Sequence, residues 1–243
     1  MPESLPPHPP LQRYYGDAER REQFVRNIFD DTAEWYDSII AMLSFGSGNM
    51  YRRQALERAG LGRGMRLLDL ATGTGVVARA ASRLTGDVIT ADASIGMLLA
   101  GRAKTRLPAV EAKGERLPFR DASFDMLSIG YALRHFADLR GVFAEYHRVL
   151  RPGAKILILE ITPPSSRLGH ALLRFHLNRL VPLMARLRSG SRDAEKLMHY
   201  FWDTIETCVP PQAIMTALQE AGFSEVKRHV EFGTFSEYTG RRE

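Results

Sequence analysis

The stretch LLDLATGTGVVARAA, residues 67–81, sets Asp69 near the end of an apolar run and follows it with Gly73, Thr74 and Gly75. Glycines here let the backbone turn tightly and approach a bound group, and Gly73-x-Gly75-x-x-Ala78 satisfies the dinucleotide fingerprint. That pattern serves a nicotinamide dinucleotide and S-adenosylmethionine alike, and a purely structural turn shares it. Asp69 bears on the choice: a carboxylate repels a pyrophosphate but attracts the ammonium and sulfonium of S-adenosylmethionine. Asp92, seventeen residues after Gly75 in VITADASIGML, stands where an acid accepts hydrogen bonds from ribose hydroxyls in either cofactor class. The competing role, capping the next helix, suits Ser94 better. No Tyr-x-x-x-Lys pair of the short-chain dehydrogenase kind occurs, and about sixty-five residues precede the first strand, so a dehydrogenase falls behind.

The elements that must position these residues alternate. Strand patterns near 66–70, 87–91, 108–112, 124–129 and 154–160 are separated by helical patterns near 74–84, 94–104 and 136–150, the signature of a parallel α/β sheet. Such a sheet holds ligands beyond the carboxyl ends of its strands. Helical sequence resumes over 166–187, 191–207 and 211–221, and SEVKRHV with GTFSEYT reads as an antiparallel pair on the sheet edge. Upstream, residues 1–14 form a proline-rich tail expected to be disordered, and Phe24, Ile28, Phe29, Tyr36, Ile39, Ile40 and Leu43 recur at helical spacing up to a glycine break at SFGSG. One domain over 15–243 is expected.

With 243 residues, 44% of them hydrophobic, the chain can bury a full core. No run of about eighteen apolar residues exists and MPESLPPHPP lacks an apolar h-region, so a cytoplasmic protein is expected. A single cysteine, Cys208, excludes an intramolecular disulfide and reads as a small core residue. His147 and His199 have no partner at metal-ligand spacing, and no metal is proposed. The net charge of +5 comes from scattered arginines, which read as a solvated surface rather than a nucleic-acid face and are compatible with contact with an anionic membrane surface.

LLDLATGTG, DASIGML, ERLPFRDASFDMLSIGYALRHFADL and EYHRVLRPGAKILILEITPP, in this order, resemble the class I methyltransferases, and specifically the ubiquinone/menaquinone C-methyltransferase family (UbiE). VRNIFDDTAEWYDSIIAMLSFG resembles the family's N-terminal helix motif, and LVPLMARLRSG with HYFWDTIETCVPPQAIMTALQEAGFSEV its substrate-covering insertion and final helix. The resemblance spans residues 22–238. It implies a Rossmann-like seven-stranded sheet with the last strand antiparallel, helices on both faces, substrate-side helices over 15–60 and a helical lid over 162–207. It implies S-adenosylmethionine as cofactor and a small hydrophobic or aromatic acceptor, with ring C-methylation of a quinol or phenol as the reaction. By position, Gly73, Thr74 and Gly75 would hold the methionine part, Asp92 the ribose and Met97 the adenine face. Lys113 and Gly114 would meet the adenine edge, and Gly130 would lie beneath the sulfonium.

Departures from the family fall mainly on the acceptor side. Lys113, which can only donate, replaces an acid or amide; Ile40 and Gly48-Asn49 replace an Asn and a His-Arg pair; and Leu133-Arg134-His135 replaces Leu-Arg-Asn. Methylating a ring carbon requires loss of a hydroxyl proton, and His135, whose imidazole ordinarily titrates near neutrality, is the candidate base. Arg134 either stabilises the developing phenolate or pairs with an acid, and Tyr36 and Tyr131 orient a hydroxyl or pack. Trp35 and Trp202 line an acceptor channel or belong to the core. A small-molecule N- or O-methyltransferase and a non-catalytic S-adenosylmethionine-binding subunit remain as alternatives. The first would share every cofactor residue and differ only in the pocket built from the helices before residue 60 and between 162 and 207, and the intact glycine loop and Asp92 argue against the second.

Overall fold

The computed structural model describes residues 4–43 and 48–243. The expected glycine break lies, apart from Gly48, outside the described residues. Three helices open the chain, α1 (Ala18–Thr32), α2 (Tyr36–Leu43) and α3 (Gly48–Ala59). An alternating region follows: β1 (Arg66–Leu70), α4 (Val76–Ala81), β2 (Asp87–Asp92), α5 (Ile95–Thr105), β3 (Ala109–Glu111), β4 (Phe124–Gly130), a 3-10 turn (Leu133–His135), α6 (Leu139–Val149) and β5 (Leu150–Ile161). After it come α7 (Arg167–Phe175), a π-turn (His176–Leu180), α8 (Val181–Ser189), α9 (Arg192–Glu206), α10 (Pro211–Glu220), β6 (Phe223–Glu231) and β7 (Phe235–Arg242).

The seven strands order as β3-β2-β1-β4-β5-β7-β6. β7 runs antiparallel to both β5 and β6, while the pairings from β3 through β5 are parallel. Strand order reverses between β1 and β4, which opens a crevice beyond their carboxyl ends. The period-2 alternation of side chains divides the core. Leu68, Leu70, Leu127, Ile129, Ile156 and Ile158 pack with α6 and α10 on one face. Leu67, Met126, Leu157 and Leu159 pack with α3 and α4 on the other. A further cluster joins α1 and α2 to α8 and α9, and takes in Trp35 and Trp202.

Two elements differ from the sequence expectation. β5 begins at Leu150, ahead of Pro152-Gly153, because Leu150 pairs with Phe124 before a bulge. The proline-rich tail is expected to be disordered, yet residues 5–8 are held to the body. Leu5 N–H donates to Asp138 Oδ1 at 2.7 Å, Leu5 O accepts from Leu139 N and Pro7 O accepts from Val209 N. His8 is buried, its Nδ1–H donating to Pro9 O and its Nε2 accepting from Arg21 at 3.0 Å. Proline content alone does not decide order when the remaining donors and acceptors find partners.

Candidate active site

The turn after β1 is held in sparsely populated backbone conformations: Ala71 has φ +49°, Gly73 +56° and Gly75 +80°. Gly75 caps α4, and a Cβ there would lie 2.8 Å from Thr105 Cγ2, which fixes glycine at that position. Thr74 turns away from the crevice and donates to Asp37 of α2. Of the three loop residues given a cofactor role, only Gly73 reaches the cavity described below.

Asp69 is a correction. Its parity with Leu67 points it at α4, away from the crevice, and it is fully buried. It accepts from Thr72 Oγ1 and Ser128 Oγ, each at 2.6 Å, and from Ala78 N at 3.1 Å. Burial pushes its carboxyl up to about 6 while these donors pull the other way. Asp69 therefore builds the turn, and it is not among the residues lining the cavity described below.

A cavity of about 510 Å³ occupies the switch point, lined by Leu70, Ala71 and Gly73 after β1, by Asp92 and Met97, by residues 111–115, by residues 130–132, and by α1. Its size suits a nucleoside-bearing cofactor with a small acceptor. Asp92 accepts from Gly73 N through Oδ2 at 2.7 Å and from Ser94 N through Oδ1 at 2.9 Å. Each oxygen keeps a second acceptor position, and the carboxylate lies in the cavity wall, an arrangement matched to vicinal hydroxyls. Burial raises its pKa, countered by these N–H donors. Ser94 caps α5 by accepting from Met97 N, as expected.

Lys113 and Gly114 line the cavity, but the Lys113 ammonium is turned to Glu22 of α1 at 2.5 Å. A second pair, Arg26 with Glu111 at 2.6 Å, also joins α1 to the β3 wall. Glycine at 114 and 130 answers to packing: a Cβ would lie 2.4 Å from Phe136 Cε1 and 2.6 Å from Val77 Cγ2 respectively.

On the acceptor side the cavity meets Phe29, Tyr36, Tyr131, His135 and Phe136. Tyr131, just after β4, is strained, with φ +62°, as Ala71 is just after β1. Burial pushes the Tyr36 hydroxyl up, which keeps it a hydrogen-bond donor. His135 Nδ1 lies 3.2 Å from Tyr200 Oη, its ring sits against Phe29, Tyr200 and Phe201, and its Nε2 is buried with no hydrogen-bond partner among the described residues. Burial and the charges of Arg134 and Arg21 hold this imidazole well below 6.5, so the expected titration near neutrality is corrected: His135 is neutral at physiological pH.

Arg134 does not reach the cavity. It is 1% exposed and wholly engaged, donating to Glu160 Oε2 at 2.9 Å, Thr204 Oγ1 at 2.8 Å, Phe201 O and Tyr131 O. The reading as a phenolate stabiliser gives way to the paired one. Three α1 and α2 residues were not singled out from sequence: Arg21 donates to Arg134 O at 2.6 Å, Asp30 accepts from Gly96 N at the start of α5, and Asp37 holds Thr74, Arg79 and Lys104. Charged residues within a helical pattern carry no local sign of such distant partners. Away from the cavity, His229, Glu231 and Glu237 converge, but Arg58 already pairs with both carboxylates, at 3.5 and 2.5 Å.

The sheet order, its antiparallel β7 and a cavity at the switch point over a glycine turn define the class I methyltransferase fold. A SAM-dependent methyltransferase from Thermotoga maritima superposes with a TM-score of 0.65 at 18% identity, covering 90% of this chain and 99% of that one. The [4+2]-cyclase SpnF superposes with a TM-score of 0.64 at 15% identity, over 91% and 96% of the chains. At such identities the likeness establishes the fold alone.

The chain belongs to the ubiE/COQ5 methyltransferase family, whose profile matches residues 17–241, and is an enzyme of that family. It is 32% identical over 220 residues to the ubiquinone/menaquinone biosynthesis C-methyltransferase UbiE of Shewanella halifaxensis, covering 86% of each. It is likewise 32% identical over 212 residues to the demethylmenaquinone methyltransferase of Mycolicibacterium paratuberculosis, covering 87% of this chain and 90% of the relative.

Proposed function

We propose that this enzyme binds S-adenosylmethionine against Gly73, Asp92 and Met97 and methylates a ring carbon of a quinol-type acceptor held by Phe29, Tyr36 and His135. The observation that carries the reading is the unpartnered His135 Nε2 in the wall of the same cavity as Asp92. The names of the quinone-pathway relatives support the acceptor class.

Asp92 takes the ribose hydroxyls, and the glycine at 73 permits close backbone approach. The cofactor supplies a sulfonium methyl, already a good electrophile. The chain's tasks are therefore to align the acceptor carbon, exclude water and move one proton. Phe29 and Phe136 offer flat apolar walls to an aromatic ring, and the protonated Tyr36 donates a hydrogen bond. With Nδ1–H donating to Tyr200 Oη, Nε2 presents a lone pair to the acceptor hydroxyl. A depressed imidazole is too weak a base to deprotonate a phenol beforehand. It takes the proton as the ring carbon is alkylated, when that hydroxyl becomes strongly acidic. Rearomatisation then sends the ring hydrogen to solvent as a proton, the C–H electrons returning to the ring, and His135 gives its proton back to the phenolate oxygen.

The test is a methyl-transfer screen with a labelled-methyl donor against quinols, phenols and heteroaromatic amines, read by product fragmentation in a mass spectrometer. Label on a ring carbon of a quinol supports the reading. Label on nitrogen or oxygen, or no transfer to any quinol, overturns it.

A further inference from the structure

The helical run from Arg167 to Ser189 packs one side against the body and leaves another without a partner. Leu177, Val181 and Ala185 belong to the core cluster with α9. Opposite them, Leu168 is 73% exposed, Leu172 and Phe175 61%, Leu183 54% and Leu187 76%. With Leu180 and Met184 of the same run, they make up seven of the twelve exposed large apolar side chains among the described residues, gathered on one ridge about 34 Å long.

The ridge has an order that ordinary helical spacing hides. Arg167-Leu168, Arg174-Phe175, Arg179-Leu180 and Arg186-Leu187 repeat at intervals of seven, five and seven. Seven residues return to nearly the same face of an α-helix; five do not. The five-residue step falls on the π-turn His176–Leu180, whose wider turn absorbs the extra residue and keeps both stripes in register. A line of arginines thus runs beside a line of exposed Leu and Phe. Only Arg186 of the four has an acidic partner among the described residues, Glu195 at 3.3 Å.

Residues 161–192 contain six arginines and no acid, more than the chain's whole surplus of +5, so the remainder carries one net negative charge. Spread over the sequence these arginines do not form a tract, but the helical run lines up four of them, Arg167, Arg174, Arg179 and Arg186. We propose that this ridge is a docking surface for an anionic phospholipid bilayer, lying in the plane of the interface with its Leu and Phe side chains among the acyl chains and its arginines on the headgroup phosphates. The ridge leaves its apolar side chains exposed, as an interfacial helix must, and its charge fits an anionic sheet. A second copy of the chain fits poorly, since pairing the ridge with itself would bring two arginine lines together with no acid between them.

The test uses the full chain in co-sedimentation with vesicles of phosphatidylcholine alone or with added phosphatidylglycerol. Binding should require the anionic lipid and weaken with salt. Arg174→Gln and Arg179→Gln should each weaken it about fivefold, and Phe175→Ser should abolish most of it. Melting temperature and S-adenosylhomocysteine binding, which these exposed positions do not touch, should be retained. Equal binding to both vesicle types, none to either, or variants that bind like the parent would overturn the proposal. So would a dimer in sedimentation equilibrium that Leu172→Ser disperses and that excludes lipid. No arm reads catalysis, so the outcome is independent of the acceptor's identity.

Discussion

Arg134 Nε lies 2.9 Å from Glu160 Oε2, and the other oxygen of that carboxylate accepts from Leu133 N at 3.0 Å. The pair joins the 3-10 turn carrying His135 to the end of β5, with both side chains sealed from solvent. Removing one charge leaves the other buried and unpaired. Arg134→Met should cost about 3–5 kcal/mol of stability in denaturant unfolding. Adding Glu160→Leu should recover much of that loss, because an apolar pair replaces an ion pair without an orphan charge. Unchanged stability with lost turnover in Arg134→Met would return the guanidinium to the acceptor.

The architecture was legible because it rests on local patterns: apolar strands, glycine at a positive-φ turn, Ser94 ahead of its helix. The cofactor wall was half legible. Asp92 and Gly73 face the cavity as read, whereas Asp69 does not, since strand parity sends it to the α4 side with Leu67. Arg134 and His135 adjoin in sequence yet part in space, and only the burial of each tells which meets the cavity. The ties through Asp30, Asp37 and Arg21 join residues more than thirty apart, and nothing local marks them.

Asp92→Asn keeps one oxygen for the loop N–H groups and removes the charge that strengthens its bonds to hydroxyl donors. Charge-assisted hydrogen bonds contribute roughly 1.5–3 kcal/mol each. S-adenosylhomocysteine should therefore bind at least tenfold more weakly by calorimetry, while the free protein stays folded and loses only the one loop hydrogen bond that the amide nitrogen cannot accept. Because burial raises this carboxyl above its ordinary value, affinity in the parent should start to fall at a higher pH than an ordinary carboxylate would give. Parent-like affinity in Asp92→Asn would confine the residue to shaping the turn.

Acid stability isolates the docked tail. Burial, and then the Arg21 charge, lower His8 from 6.5 to about 4. The unfolded chain therefore binds a proton that the folded chain refuses between those values, and His8 removes stability as pH falls from 6.5 to about 4. Asp69, raised from 3.8 to about 6, acts in the opposite direction over much of that window. The parent's own curve mixes the two. The difference between parent and His8→Gln removes Asp69 from the comparison, and it should move against the parent steadily on acidification over that range. A pH-independent difference in chemical denaturation would mean that His8 is not held neutral against Arg21.

His135→Asn gives the sharpest reading of the acceptor side, because an amide can orient a hydroxyl but cannot take its proton. Methyl transfer should slow by roughly 10²-fold or more, the usual scale of general-base assistance, while S-adenosylhomocysteine affinity stays unchanged. The pH profile supplies the second half of the test. An imidazole held well below 6.5 is neutral throughout the physiological range. The parent's rate should therefore show no His135 inflection near 6.5 and should fall only at more acidic pH, as Nε2 becomes protonated and its lone pair is lost. Tyr200→Phe, which removes the partner 3.2 Å from Nδ1, should lower kcat with little change in cofactor affinity, since without that acceptor the ring no longer favours the tautomer with a free Nε2. Full turnover in His135→Asn would reduce the histidine to a packing residue and leave the acceptor's own acidity to account for proton loss.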